Sequence, residues 1–203
     1  MNKFRLLTSV TLICIATLVC SSVTQAQSSG AAPVFKITPV ASKVTFYVKA
    51  SVKLEGTFDK WNATLVFTST HASTGALNIK IKADSVHTGS TYKDDQLRGE
   101  HCFDVKHTPY ITFHSTKITQ TSRNTFHVAG TFTLRGISKP QALTFTVNRD
   151  SGGATGEIKG VLSIDRRDYG LGGGIPFVTI ADRVDVTIDF KATRVGPPLV
   201  FKH

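Results

Sequence analysis

From Val44 onward apolar and polar side chains alternate in short runs, the two-residue period of strands that bury one face. The apolar members are Val44, Phe46 and Val48; Leu65 and Phe67; Leu77, Ile79 and Ile81; Ile111 and Phe113; Phe126, Val128, Phe132 and Leu134; Leu143, Phe145 and Val147; Leu162 and Ile164; and Val184, Val186, Ile188 and Phe190. Turn-forming residues separate them: Ser73-Thr74-Gly75, Ser122-Arg123-Asn124, Gly136 to Pro140, Asp150 to Gly153 and Gly170 to Pro176. One stretch breaks the alternation. Tyr92 to Arg98 mixes charge with good helix formers and predicts a short helix, after which Pro109 sets extended backbone for Tyr110 to Thr116.

Roughly eight strands follow from this pattern, and eight is the number at which a closed antiparallel sheet can hold side chains or one small ligand. Closure also removes exposed strand edges, so a barrel is expected over a sandwich. The polar partners of the apolar residues are hydrophilic and mostly charged: Asn78, Lys80 and Lys82 on one strand, Asp185, Thr187 and Asp189 on another. A lysine facing lipid near mid-bilayer would cost roughly 2 to 4 kcal/mol, so the charged face belongs in water and the apolar face inside. Six phenylalanines (Phe46, Phe67, Phe113, Phe132, Phe145 and Phe190) share the inward phase, and with Leu77 and Ile79 they are the expected lining of an interior that is either solid or a cavity.

The ends change the picture of where the protein works. Lys3 and Arg5, an apolar run from Leu6 to Cys20 and small or polar residues to Ala26 predict a secretory signal peptide over residues 1–26. Residues 27–34 read as a linker and 35–203 as one domain, periplasmic or secreted. Cleavage would remove Cys14 and Cys20 and leave Cys102 alone, so no intrachain disulfide is expected and Cys102 reads as a small buried hydrophobe. His101 beside it would point to the opposite face of a strand and form no metal site with it. The formal charge of +10 falls to about +8 with the loss of Lys3 and Arg5. The cations are scattered singly among strands, a pattern that predicts a solvated face and no nucleic-acid surface.

Motifs for catalysis are missing: no Gly-x-Ser-x-Gly elbow, His-Glu-x-x-His, Cys-x-x-Cys or phosphate loop occurs, and neither enzyme activity, cofactor nor metal is expected. His114 and His127 are out of phase with the apolar face and should point outward. Asp165-Arg-Arg-Asp-Tyr-Gly170 and the glycines after it stand out as a loop at one barrel end. Arg166 either ties down Asp168 or the loop, or meets a polar head group at the mouth, since guanidinium forks suit such oxygens. Tyr92 and Arg98, on the short helix, are the matching candidates, with the same structural alternative.

Four pieces in this order carry a family resemblance: Lys93-Asp-Asp-Gln-Leu-Arg98 leading to Cys102-Phe-Asp104; Pro109-Tyr-Ile-Thr-Phe-His-Ser-Thr116; Val128-Ala-Gly-Thr-Phe-Thr-Leu-Arg-Gly-Ile-Ser-Lys-Pro140; and Ile164-Asp-Arg-Arg-Asp-Tyr-Gly170. The stretch from Phe35 to Arg194 resembles the YceI-like family of exported, polyisoprenoid-binding, lipocalin-like proteins. The resemblance implies an all-β, eight-stranded antiparallel barrel with a short helix near the mouth and an apolar tunnel for a lipid chain. Implied ligands are an isoprenoid, a quinone or a fatty-acid-like lipid, with Tyr92, Arg98, Arg166 and Tyr169 as positional candidates for its head group. The family's usual paired Phe is replaced by Cys102-Phe103, its His by Gln96, and its His-Ser pair by Ala41-Ser42, so a reshaped cavity is expected. The rival reading is a non-catalytic interaction module that uses its basic surface on a membrane redox partner. Transient membrane contact and homodimerisation are compatible with both.

Overall fold

The computed structural model describes residues 34–37, 42–51, 54–68, 71–149, 155–172 and 179–195. The expected signal peptide, most of the linker, the turn at 150–153 and Gly173 to Pro176 lie outside these residues. The strands are β1 (Val34–Ile37), β2 (Lys43–Ala50), β3 (Leu54–Phe58), β4 (Trp61–Phe67), β5 (Gly75–Lys82), β6 (Val86–His87), β7 (Tyr110–Gln120), β8 (Thr125–Leu134), β9 (Ile137–Arg149), β10 (Thr155–Asp165) and β11 (Ile180–Val195). Among the described residues a single helix, α1 (Thr91–Arg98), matches the expected one, and short 3-10 turns occupy Ala72–Thr74, Ala83–Ser85 and Arg166–Tyr169.

The strand count therefore departs from the expected eight: among the described residues ten strands have four residues or more, and β6 adds a two-residue piece. Their pairing explains the difference. The order β1-β4-β5-β7-β8-β9-β10-β11 closes on itself through β1 and β11, an antiparallel ring. The remaining strands continue three of those eight wall positions. β2 pairs with β11 next to β1, β3 pairs with β2, and β6 pairs with β3, each antiparallel. Two of the breaks lie side by side: Asp59 N donates to the Ser85 carbonyl at 3.1 Å and Lys60 N to Ser85 Oγ at 3.0 Å. Pieces of two to five residues carry too few alternations to be read as strands, which is why β1, β3 and β6 were not anticipated.

Pro140 was expected in a turn and stands instead inside β9. The β8–β9 turn is only Arg135-Gly136, both at positive φ (54° and 74°), so that Leu134 pairs with Ile137. Pro140 survives in a strand because β9 pairs with β10 only at Thr144 to Arg149, so the missing N–H falls where one side of the strand has no ladder. The Cys102 segment likewise is a turn and not a strand.

Inward side chains fill a core of buried aliphatics and aromatics. At the end opposite α1, Phe126 stacks on Phe145 (centroids 5.0 Å); Trp61, in register with Ile81, stacks on Phe190 (4.5 Å). Three phenylalanines use a glycine on the neighbouring strand as a seat. A Cβ on Gly56 would stand 2.7 Å from the Phe46 ring, one on Gly75 2.6 Å from Phe67, and one on Gly130 2.6 Å from Phe113. Each ring thus fills the inner-face space that a side chain at its glycine would take, and its burial contributes roughly 1.5 to 3 kcal/mol. This seating decides how much space stays open inside.

Candidate functional site

An apolar cavity of about 120 Å³ opens toward the α1 end of the barrel. Val44, Phe46 and Val48 of β2, Ile111 of β7, Phe132 of β8 and Val186 of β11 form its walls, and Leu97, Phe103 and Leu171 form its rim. Among the described lining residues the exceptions to hydrocarbon are Cys102 and Arg166. A second apolar cavity, about 10 Å³, lies deeper between Leu77, Ile79, Phe145, Gly160 and Phe190. Of the eight expected lining residues, Phe46 and Phe132 face the larger cavity, while Leu77, Ile79, Phe145 and Phe190 face the smaller one. Phe67 and Phe113 are buried and line neither.

The four head-group candidates are dispersed. Tyr92 sits on the outer side of α1, 59% exposed. Arg98 is committed to structure: Nε donates to the Asp84 carbonyl at 2.9 Å, Nη2 to the Val86 carbonyl at 2.9 Å and Nη1 to the Asp95 carboxylate at 3.2 Å, tying the end of α1 to β6. Tyr169 is fully buried, edge-on to Phe132 with centroids 5.4 Å apart, and its hydroxyl accepts from Gln141 at 3.3 Å. Burial pushes its phenol pKa up. Arg166 alone of the four borders the cavity. Its Nε donates to the Ala181 carbonyl (3.2 Å), Nη1 to the Leu171 carbonyl (2.8 Å), and Nη2 pairs with the Asp182 carboxylate (3.2 Å). It ties the loop to β11; Asp168, the partner first considered, pairs with Lys139 at 2.6 Å. Among the described residues Nε, Nη1 and Nη2 each have one such partner.

The rim depends on two further residues, Arg135 and Asp94, that carry no motif in the sequence. Arg135 reaches from the β8–β9 turn to the Gly170 carbonyl and, at 2.8 Å, to the Glu100 carbonyl, so one side chain joins three segments around the opening. Gly136 beside it, the residue type that a two-residue hairpin turn favours, was the available signal in the sequence. Asp94 is a buried carboxylate on α1 that accepts from Thr88 N at 2.8 Å and Thr88 Oγ1 at 2.6 Å, with His87 Nδ1 at 3.5 Å. Burial by itself would raise its pKa, but the two Thr88 bonds, with His87 and Arg98 nearby, outweigh that and hold it below the usual carboxylate range. The acid also faces the N-terminal turn of the helix, where the backbone N–H groups favour negative charge. Cys102 is pushed up to about 11 by burial, more than nearby Arg135 and Arg166 can offset, so its thiol stays protonated near neutrality.

Residues 35–192 match the YceI-like domain family. A UPF0312 protein of Pseudomonas syringae pv. tomato is 27% identical over 145 residues, 70% of this chain and 74% of that protein. Among solved structures, Burkholderia cenocepacia BcnA is 31% identical with a TM-score of 0.71, covering 78% of this chain and all of that one. A polyisoprenoid binding domain from Saccharophagus degradans, implicated in plant cell wall breakdown, is 18% identical with a TM-score of 0.62 over 80% of this chain and 98% of its own. At that identity it speaks for the fold alone. With a ring-closed antiparallel sheet, one helix at its mouth and a domain match over most of its length, this chain belongs to the YceI-like family.

Proposed function

We propose that this protein is an exported, non-catalytic carrier that holds the apolar chain of an isoprenoid or similar lipid in the cavity behind α1. The observation that carries the reading is the cavity itself: a hydrocarbon-walled space at the mouth with one guanidinium on its wall, the arrangement that seats an apolar tail and orients one polar end. Arg166, the cation among the described lining residues, is the residue that would meet the head group. Cys102, protonated and apolar-packed, acts as wall and not as nucleophile. The description of the Saccharophagus degradans neighbour as polyisoprenoid binding supports the same reading. So does the signal-like segment at residues 1–26, the feature that supports a periplasmic or extracellular location. Each buried methylene contributes about 0.8 kcal/mol, so tail length and cavity length set affinity more than any polar contact does. The test is to purify the processed protein from its native host, extract it under denaturing conditions and identify the released lipid by mass spectrometry. A stoichiometric isoprenoid, quinone or fatty-acid-like compound is expected; well-folded protein that releases none, and takes up none when offered, refutes the reading.

One observation favours the interaction reading. At the opposite end, the Ala72–Thr74 turn and the β7–β8 turn frame an open basin of about 500 Å³ with His71, Lys117 and Arg123 around it. The two cations there, Lys117 and Arg123, suit an anionic surface on a partner, and such binding would weaken with salt.

A further inference from the structure

We propose that the barrel interior is partitioned by Phe113 and Leu162, and that this septum restricts the protein to ligands with short apolar chains, of about one to two isoprene units. The proposal rests on the lipid-binding reading above and names the ligand class for the same cavity.

The two cavities are unequal, about 120 Å³ near the mouth and about 10 Å³ beneath, and the walls show what separates them. On β10 the inward residues run Ile164, Leu162, Gly160 and Ile158. The first lines the upper cavity, the last two line the lower, and Leu162 lines neither. On β7 Ile111 lines the upper cavity and Phe113, the next inward residue, lines neither. The neighbouring strand shows where the Phe113 ring lies. Phe132, in register with Phe113, faces the upper cavity, whereas Leu143, in register with Val128, faces the lower. Between Phe132 and Val128 comes Gly130, and its absent side chain is replaced by the Phe113 ring, 2.6 Å from where a Cβ would be. The ring therefore lies at the level between the two spaces. Phe113 and Leu162 are 3% and 5% exposed, both packed in place.

The upper space is small for a polyisoprenoid. An apolar cavity of roughly 150 Å³ holds a benzene, so one of about 120 Å³ takes roughly five or six carbons, close to one isoprene unit. A second unit would stand in the mouth between Leu97 and Leu171, with the polar end beside Arg166. Carbons beyond that remain in water.

The experiment is calorimetric titration of the processed protein with geraniol, farnesol and geranylgeraniol (two, three and four isoprene units), for the wild type, Phe113→Ala and Leu162→Ala. Near-ultraviolet circular dichroism confirms that each variant is folded, and the second variant opens the septum from the other wall should the first fail to fold. The wild type should gain less than about threefold in affinity from geraniol to farnesol, because the added unit is not buried. An opened septum should turn that step into about tenfold or more. A wild type that already gains tenfold at each added unit shows that Phe113 yields to the incoming chain and overturns the partition. Folded variants that keep the wild-type plateau overturn it as well. If no prenyl alcohol binds any of the proteins, the lipid-binding reading itself falls, a result distinct from either of those.

Discussion

Gly56 keeps the mouth cavity open by what it lacks, and Gly56→Ala should close part of it at a measurable loss of stability. Phe46 and Gly56 are directly paired on β2 and β3, and the new Cβ would lie 2.7 and 2.8 Å from the Phe46 ring and 2.9 Å from the His87 carbonyl oxygen. Ordinary contact begins near 3.4 Å, so the ring must retreat by about 0.7 Å, and the free space available to it is the cavity that Phe46 lines. Overpacking of this kind costs about 1 to 3 kcal/mol. Replacing glycine also restricts the unfolded chain, which offsets about 0.4 to 1 kcal/mol. The net loss should be about 1 to 2 kcal/mol, a fall in Tm of roughly 2 to 8 °C for a domain of this size. Phe46→Leu removes the ring that is being pushed. In a double-mutant cycle by urea denaturation, Gly56→Ala should therefore be milder in the Phe46→Leu background by about 1 kcal/mol, with the His87 carbonyl accounting for what remains. A Gly56→Ala protein as stable as the wild type, or a cycle with no coupling, would refute the idea that the glycine exists to seat the ring.

Arg135→Met should cost about 1 to 2 kcal/mol, since its hydrogen bonds to the Gly170 and Glu100 carbonyls are charge-assisted but only partly shielded from water; hydrogen exchange should quicken in both residues 99–109 and 165–171, and unchanged protection there would show that the rim does not depend on it. Because the folded pKa of Asp94 lies below its unfolded value, its contribution is complete above the ordinary carboxylate range and disappears as pH falls through the lowered pKa. Asp94→Ala should therefore lower the urea midpoint by the equivalent of about 2 to 3 kcal/mol at pH 7, and the gap to the wild type should close toward pH 2; a gap that stays constant with pH removes the carboxylate from the account. With its pKa near 11, Cys102 should react with a disulfide reagent at pH 8 orders of magnitude more slowly in the native protein than in urea. Equal rates would place the thiol in water.

The alternation of apolar residues was enough to find every long strand, because a two-residue period needs only a few repeats and one buried face to be visible. The helix was equally legible in Tyr92 to Arg98, where the alternation stops. The roles of Arg98 and Tyr169 were not. A guanidinium that meets two backbone carbonyls has no sequence signature, since every residue carries a carbonyl and only the folded chain decides which ones turn toward it. Tyr169 looked available in a polar, charged hexapeptide, yet the turn of Arg166–Tyr169 rotates it beneath the loop against Phe132. Arg166 was found for its charge at a glycine-rich end, although its three protein partners could not be foreseen.

The sequence by itself determined an antiparallel all-β domain with an apolar inside and a charged outside, because those properties follow from residue-by-residue phase. Tertiary structure alone decided that eight wall positions are built from more than eight strands, since strand breaks at Asp59 and Ser85 lie adjacent only after the sheet is paired. It also decided that phenylalanines of the same phase have different fates. Phase places a ring on the inner face; where on that face it comes to rest depends on the volume of the residue across from it, and at Gly56, Gly75 and Gly130 that residue comes from another strand.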